Sequence, residues 1–321
     1  MRVLVTGGAG YIGSVVTHML VEEGHDVVVL DNLSRGHADA VSPLAALVTA
    51  ELADVAEVLA AHPVDAVMHL AARSLVGESV LQPDAYRITN VEGTRGLLEA
   101  MRSSGVRRLV VSSSAATYGA ADTDLISESN ATEPTSPYGA TKLAADELMA
   151  EHAAAYAVTA TSLRYFNVAG AAYGLSERHD PETHLIPTVL SVASGTAPSI
   201  TVFGDDYPTA DGTCVRDYVH VADIARAHIL AMNSEREPGH RIFNLGSGVG
   251  YSVRDVIETV ERVTSREVPT TVAGRRAGDP ARLVASNTRA AHELGWAPQH
   301  DLDDMVRDAW SAHTTYGRGQ K

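Results

Sequence analysis

Val3-Leu4-Val5-Thr6-Gly7-Gly8-Ala9-Gly10-Tyr11-Ile12-Gly13-Ser14 is the stretch on which the reading of the whole chain turns. An apolar run of strand length breaks at Gly7, and an apolar segment of helical length, Ile12 to Glu22, follows. Gly7, Gly10 and Gly13 recur at every third position. Lacking side chains, they permit a tight turn from strand to helix and let the helix N-terminus come close to a pyrophosphate. Three glycines alone also describe ordinary turns, so the flanks decide. A strand precedes, a helix follows, and a second apolar run, Asp26 to Leu30, leads into Asp31, where a dinucleotide-binding unit places an acid. Asp31 is set to accept hydrogen bonds from an adenosine ribose and to repel a 2′-phosphate. The expected cofactor is therefore NAD rather than NADP, with Arg35 the neighbour able to receive a 2′-phosphate.

Outward from this unit, strand-like runs at Arg2 to Val5, Asp26 to Leu30, Ala66 to Leu70, Leu109 to Ser112 and Ala160 to Tyr165 alternate with helical patterns. The helices are expected at Ile12 to Glu22, Ala53 to Ala61, Asn90 to Ser103 and Ser136 to Ala155. Such alternation predicts an α/β fold: a Rossmann doubly wound parallel sheet with helices on both faces. After Tyr165 the pattern loosens into polar, Gly- and Pro-bearing stretches, Gly174 to Thr183 and Gly204 to Thr213, of the kind that carry ligand contacts. A helix at Val221 to Asn233 and a strand at Arg241 to Leu245 then return the chain to the sheet. The expected organisation is a discontinuous cofactor domain, 1–166 and 219–246, with a smaller α/β substrate-binding domain, 167–218 and 247–321.

Composition agrees with a globular enzyme of this size. The 321 residues are 45% hydrophobic and 20% charged, with a formal charge of −15 that disfavours nucleic acid and anionic membranes as partners. A phosphate-bearing substrate would need a local cluster of Arg or Lys. One cysteine, Cys214, allows no internal disulfide. The apolar run that opens the chain ends at Gly7, too short for a signal peptide or a membrane span, so a cytoplasmic location is expected.

A second constellation lies downstream. The run Leu109 to Ser112 leads into Ser113-Ser114, and a later helix opens Ser136-Pro137-Tyr138-Gly139-Ala140-Thr141-Lys142. Tyr138 and Lys142, four residues apart, share a helix face. Ser136 suits the N-cap and Pro137 the first helical position, which puts Tyr138 at the positive end of the helix dipole. A phenol titrates near pH 10, and bringing it near 7 requires about 4 kcal/mol of selective phenolate stabilisation. Lys142, the helix end and a cationic nicotinamide together are expected to supply it, making Tyr138 a general base, with Ser114 holding or relaying the substrate hydroxyl proton. A Tyr-x-x-x-Lys alone is more often a packed tyrosine and a solvated lysine; the upstream glycine loop favours the catalytic assignment.

The three glycines, Ser114 and Tyr-x-x-x-Lys resemble the extended short-chain dehydrogenase/reductase superfamily. Thr6 to Ser14, Asp31-Asn32-Leu33, Val76-Gly77-Glu78-Ser79, Ser112 to Ala115, Ser136 to Lys142, Leu163 to Asn167, Val202 to Thr213, Val215-Arg216-Asp217-Tyr218, Asn244-Leu245-Gly246 and Arg275 to Asp279 are similar to the UDP-glucose (UDP-galactose) 4-epimerase family over nearly the whole chain. The resemblance implies that NAD stays bound and takes a hydride from C4 of a UDP-hexose while the base takes the C4 hydroxyl proton. The 4-keto sugar then turns over and is reduced on its other face.

It also implies NAD contacts from Gly7, Gly10, Tyr11, Ile12, Gly13, Asp31, Asn32, Ser34, Glu51, Leu52, Leu70, Ala71, Ala72, Asn90, Ser112, Tyr138, Lys142, Tyr165 and Phe166. Substrate contacts are implied from Ser114, Asn167, Leu185, Thr201, Phe203, Arg216, Arg276 and Asp279, with a homodimer as the expected assembly. Four positions depart from the pattern. Glu51 stands where an Asp is usual, Ser74 where a Lys is frequent, His184 where an Asn is frequent, and Thr117 follows in the segment after Ser114. Arg216 and Arg276 are the cationic cluster an acidic protein needs, although pairing with neighbours such as Asp217 and Asp279 is the commoner fate of Arg.

No HExxH or paired Cys/His spacing occurs among the fourteen histidines, so no metal is assigned. His69 and His220, at the ends of apolar strands, are expected to be structural. A nucleotide-sugar 4,6-dehydratase would need an acid and a base beside C5 and C6, whereas Ala115 and Ala116 follow Ser114. A non-catalytic NAD sensor would have no need of Ser114, Tyr138 and Lys142 together.

Overall fold

The apolar runs become strands because both of their faces are covered. Val3 to Val5, Val27 to Leu30, Val67, Met68 and Leu163 are no more than 2% exposed, the continuous burial of a parallel sheet sandwiched between helices. In the computed structural model, which describes residues 1–121, 123–276 and 278–318, seven parallel strands form that sheet. Their order is Gly239–Leu245, Thr159–Tyr165, Arg108–Ser114, Ala66–His69, Arg2–Thr6, Asp26–Asp31, Ala46–Thr49. The doubly wound α/β fold expected from the sequence is the one observed. Ala46–Thr49 is the strand that apolar patterning does not reveal. As the outermost strand it is half-buried to exposed, so it carries no continuous apolar run.

One face of the sheet buries Val15, Val16 and Leu20 of helix Tyr11–Glu22 with Val221, Ile224 and Ala225 of helix Val221–Asn233. The other buries Val55, Val58, Leu97, Met101, Met149 and Ala153, from helices Val55–Ala61, Gly93–Ser104 and Pro137–Tyr156. The Ser136 hydroxyl accepts from the Gly139 N–H at 3.1 Å, a cap worth about 1 kcal/mol that fixes where the last of these helices begins.

Strand order reverses beside Arg2–Thr6: the chain winds outward to Ala46–Thr49, then crosses back to Ala66–His69 on the opposite side. Ligands of open α/β sheets bind at the carboxyl ends of the strands at such a switch point. The Gly7 turn and Leu70-Ala71-Ala72 both sit there. A separate core, built on Ile186, Val189, Leu190, Val202, Tyr218, Val256, Val260, Met305 and Val306, lies beneath helices Leu185–Ala193, Val253–Thr264 and Leu302–Arg318. Among the described residues no helix is long and apolar enough to cross a membrane.

Candidate active site

Gly7 adopts φ +73°, and a Cβ on it would stand 2.5 Å from the Ala71 nitrogen. A Cβ on Gly13 would meet the Gly7 carbonyl oxygen at 2.1 Å, so the helix can start this close to the turn only without a side chain there. Gly10 is the N-cap, and its Ser14 neighbour donates back to the Gly10 carbonyl at 2.9 Å. The result is a cradle of backbone N–H groups at the helix N-terminus, bordered by Tyr11, Ile12 and the strand end Leu70-Ala71-Ala72, with the shape and polarity a pyrophosphate needs.

Asp31, buried at the next strand end, accepts from the Ala9 N–H at 3.0 Å and from the Leu33 N–H at 2.8 Å. It therefore holds the glycine loop as well as offering its remaining lone pairs outward. Asn32 accepts from the Ser34 N–H at 3.0 Å and hydroxyl at 2.7 Å, and donates to Glu51 at 3.0 Å. Glu51 in turn caps the short turn Leu52–Asp54. Asn32, Ser34, Glu51 and Leu52 are thus gathered beside Asp31. Arg35 instead pairs with Glu78 at 3.2 Å and donates to the Asp180 carbonyl.

Asn90 lies in a π-helical turn, Arg87–Glu92, a local widening that often marks functional positions. Its amide group donates to the Arg73 carbonyl and the Thr141 hydroxyl, both at 3.0 Å, and its oxygen accepts from the Arg73 N–H at 2.8 Å. It thereby joins the loop after Leu70-Ala71-Ala72 to the helix carrying Tyr138. His69 is structural as expected: Thr6 and Thr94 hold its ring at 2.7 and 3.1 Å, and burial pushes it down to about 3, keeping it neutral. Ser74 is exposed.

Strand register sets Ser112 beside Leu163 and Ser114 beside Tyr165. The Ser114 hydroxyl accepts from the Ala116 N–H at 3.1 Å and also interacts with the Tyr138 phenol. Lys142 is 6% exposed; its ammonium donates to the Ser112 carbonyl at 2.8 Å and stands 6.0 Å from the Tyr138 ring centre. Burial pushes Lys142 down to about 8, opposed by the negative charge of Asp146. The sequence leads one to expect Lys142, the helix end and a cationic nicotinamide together to lower the Tyr138 phenol; in the protein alone its pKa is raised. Burial outweighs the Ser114 hydrogen bond, and the ammonium is turned onto the Ser112 carbonyl.

Tyr165 is locked in place. Its hydroxyl donates to His228 Nε2 at 2.6 Å, while His228 Nδ1 sits 2.9 Å from the Ile224 carbonyl, and burial pushes His228 down to about 4. Phe166 follows, its N–H bound to the Leu245 carbonyl at 3.0 Å. Behind the triad lies a buried pair that patterning misses. Asp146 accepts from Arg164 at 2.9 and 3.0 Å and from Ser113 at 3.1 Å, with both charged side chains 3% exposed. Its one sequence signal is spacing: Asp146 follows Lys142 by one helical turn.

Across the crevice, Arg216 donates to the Val215 carbonyl at 2.7 Å and pairs with Asp279, whose N–H reaches the Arg276 carbonyl at 3.3 Å. Arg276 lies 4.0 Å over the Phe203 ring, and Thr201 is 3.2 Å from Thr271 on the adjacent strand. Asn167 opens the short strand that pairs with Val215–His220 at Tyr218, and Leu185 opens the helix Leu185–Ala193. Of the two neighbours weighed as ion-pair partners in place of a diphosphate, Asp279 pairs with Arg216 and Asp217 does not. The Asp217 carboxylate is turned inward to accept from the N–H groups of Ser247, Gly248 and Ala285 at 2.7, 3.0 and 3.0 Å. His184 is fixed by Glu182 at 2.7 Å, beside Glu177 and His179, a grouping that motif spacing does not show.

The chain has extensive relatives. Residues 3–246 match the NAD dependent epimerase/dehydratase family. A curated UDP-glucose 4-epimerase of Corynebacterium glutamicum is 53% identical, the match covering 99% of this chain and 97% of that one. A crystal structure of a UDP-glucose-4-epimerase from Stenotrophomonas maltophila, with bound NAD and formylated UDP-arabinopyranose, superposes with a TM-score of 0.95 at 41% identity, covering 99% of each chain. A UDP-glucose 4-epimerase from Bifidobacterium longum, in complex with NAD+ and UDP, gives a TM-score of 0.94 at 35% identity over 99% of this chain and 100% of that one. Matched by the family over residues 3–246 and by relatives over nearly its whole length, the chain belongs to the NAD dependent epimerase/dehydratase family.

Proposed function

We propose that this protein interconverts UDP-galactose and UDP-glucose, inverting C4 through a 4-keto sugar with no net redox change. The observation that supports the reading is that Ser114 bonds Tyr138 and Lys142 is anchored on the Ser112 carbonyl at the carboxyl end of strand Arg108–Ser114, two strands from the Gly7–Gly13 turn in the same sheet. NAD, when bound, supplies the reversible two-electron oxidation of C4. Tyr138 takes the C4 hydroxyl proton and later returns it. Ser114, one hydrogen bond away, holds the sugar oxygen and favours the phenolate. Lys142, anchored on the Ser112 carbonyl, contributes its charge from a fixed point. Asp31, Asn32, Ser34 and Glu51 hold the adenosine end. Arg216, Arg276, Phe203, Thr201, Asn167 and Leu185 hold the nucleotide end, and the 4-keto sugar turns between these two fixed sides.

Ala115 and Ala116, in the turn after Ser114, leave that position without the acid and base an elimination requires. We read 1–166 with 219–246 as the cofactor domain and 167–218 with 247–321 as the nucleotide-sugar domain. The working assembly is a homodimer in the cytoplasm; exposed Val76, Val80, Leu81 and Ile88, 48% to 81% accessible, are the apolar surface a second copy would cover. The test is proton NMR of UDP-galactose incubated with the purified enzyme. UDP-glucose should accumulate to an equilibrium mixture, and a stable keto sugar or unchanged substrate would overturn the assignment.

A further inference from the structure

Between the short hairpin of Ala171–Ala172 and Leu175–Ser176 and the helix Leu185–Ala193 runs Glu177-Arg178-His179-Asp180-Pro181-Glu182-Thr183-His184. This segment is fastened to the loop and short turn that follow strand Asp26–Asp31. Arg178 makes paired hydrogen bonds to Asp39 at 3.0 and 2.9 Å, and Arg35 donates to the Asp180 carbonyl. Just upstream, the Tyr11 hydroxyl donates to the Gly170 carbonyl at 2.7 Å. Held in this way, the segment folds back so that one ligand-competent atom each from Glu177, His179 and His184 lies within 4.8 Å of the other two.

Hydrogen bonding to Glu182 accounts for the placing of His184 but not for that of His179. His179 Nδ1 is 2.6 Å from Glu177 Oε1, sealed from solvent, and the approach lacks hydrogen-bond geometry. The Glu177 and His179 side chains are only 12% and 18% exposed. His184 Nδ1 is 3.9 Å from the second Glu177 oxygen and 2.7 Å from Glu182. His184 Nδ1 thus faces two carboxylates at once, those of Glu177 and Glu182.

We propose that Glu177, His179 and His184 form a site for a divalent transition-metal ion of the zinc class. Two imidazoles and one carboxylate suit zinc, cobalt or nickel, whereas magnesium and calcium favour oxygen ligands alone. Ligand atoms around a tetrahedral zinc lie about 3.4 Å apart, inside the range these groups already occupy. A fourth position is left for water or Glu182. The ion links the two ends of a segment that is itself fastened to the cofactor domain, so it stabilises the folded enzyme by mass action.

The experiment uses the tag-free, NAD-bound enzyme, titrated with Co2+ as a spectroscopic stand-in and then with Zn2+. Saturable visible absorption at one cobalt per chain, displaced by zinc, is expected, together with a Tm that rises with zinc concentration. Both signals should be lost in His179→Ala and in His184→Ala. Glu177→Gln, which keeps the side chain's size, should weaken zinc binding by about tenfold or more. The unrelated change His292→Ala, on the exposed helix Thr288–Leu294, should leave both signals intact. Absorption that survives the histidine variants, or no saturable binding of either ion, overturns the site. The readout does not involve turnover, so it is independent of the proposed reaction.

Discussion

On the cofactor side of the crevice the defining contacts are made by backbone or to it: Gly7 packs against Ala71 and Gly13 against Gly7, and the Asp31 carboxylate holds the Ala9 N–H. On the nucleotide side they are made by side chains on loops and short strands, Arg216 with Asp279 and Arg276 over Phe203. Close backbone approach admits few alternatives, because an added Cβ would need space that is already filled. A side-chain pocket can be rebuilt in several ways provided cation and ring end in the same place. Substitutions on the first side should therefore act as switches, and those on the second as adjustments.

The largest effect is expected at Tyr138. Tyr138→Phe removes the proton acceptor and keeps the ring, so kcat should drop by roughly 10²- to 10⁴-fold, with UDP affinity and fold preserved. Near-normal turnover would dissolve the contrast, since the rigid side would then tolerate loss of its central group.

The same contrast explains what could be read from sequence. Gly7, Gly10, Gly13, Asp31, Tyr138 and Lys142 are legible because turn geometry, helix spacing and strand-end position each restrict residue type locally. The Arg164–Asp146 pair joins a strand to a helix, and the grouping of Glu177, His179 and His184 depends on loop fastening by Asp39 and Arg35, so neither has a periodic signature. The helices at Leu185–Ala193 and Val253–Thr264 differ in this respect. Leu185–Ala193 is apolar on nearly every face and so shows little periodicity, whereas Val253–Thr264 carries a capping box at Ser252 and Asp255 and an apolar stripe of Val256, Ile257 and Val260 that the sequence does display.

Lys142 offers a test through pH. Its folded pKa of about 8 lies below the ordinary 10.5, so between these values the unfolded chain binds more protons and stability rises with pH. The penalty is fully present below about 8 and amounts to about 3 kcal/mol, of the order expected for burying an ammonium. Lys142→Met should remove it. Thermal denaturation at neutral pH should show a higher Tm for the variant, with the gap closing as pH rises through that window, while epimerisation is lost. A lower Tm would mean that the bond to Ser112 stabilises more than burial destabilises.

A smaller change is expected at Asp31, because part of its role is structural. Asp31→Ala removes acceptors for both the Ala9 N–H and the ribose, and should weaken NAD by about tenfold while relaxing rejection of NADP. Since Arg35 is engaged by Glu78 and Asp180, NADP should gain modestly rather than overtake NAD. Calorimetric titration of both cofactors into refolded apoenzyme checks this. Equal affinities before and after substitution would place ribose recognition on Asn32 or Ser34.

The smallest effect is expected where the two sides meet. Leu283 pairs with Arg216 across adjacent strands and packs against Tyr118, Ile126, Phe166 and Ala285, so it touches both the nucleotide pocket and the residue after Tyr165. If the hexose lies where the two sides meet, a bulky side chain here would crowd a 2-acetamido group. A half-buried leucine there should favour the plain hexose pair. Leu283→Ser should raise kcat/KM for UDP-N-acetylgalactosamine severalfold, since removing a wall gains little where other contacts stay unoptimised. The same change strips apolar contact from a small cluster and should also lower stability, by about 1–2 kcal/mol for a partly buried leucine. Paired kcat/KM and Tm measurements separate the two roles. A gain in acetylated-sugar turnover with a modest fall in Tm makes Leu283 a gate; a fall in Tm alone makes it core, and moves sugar selection to the side of Ser114.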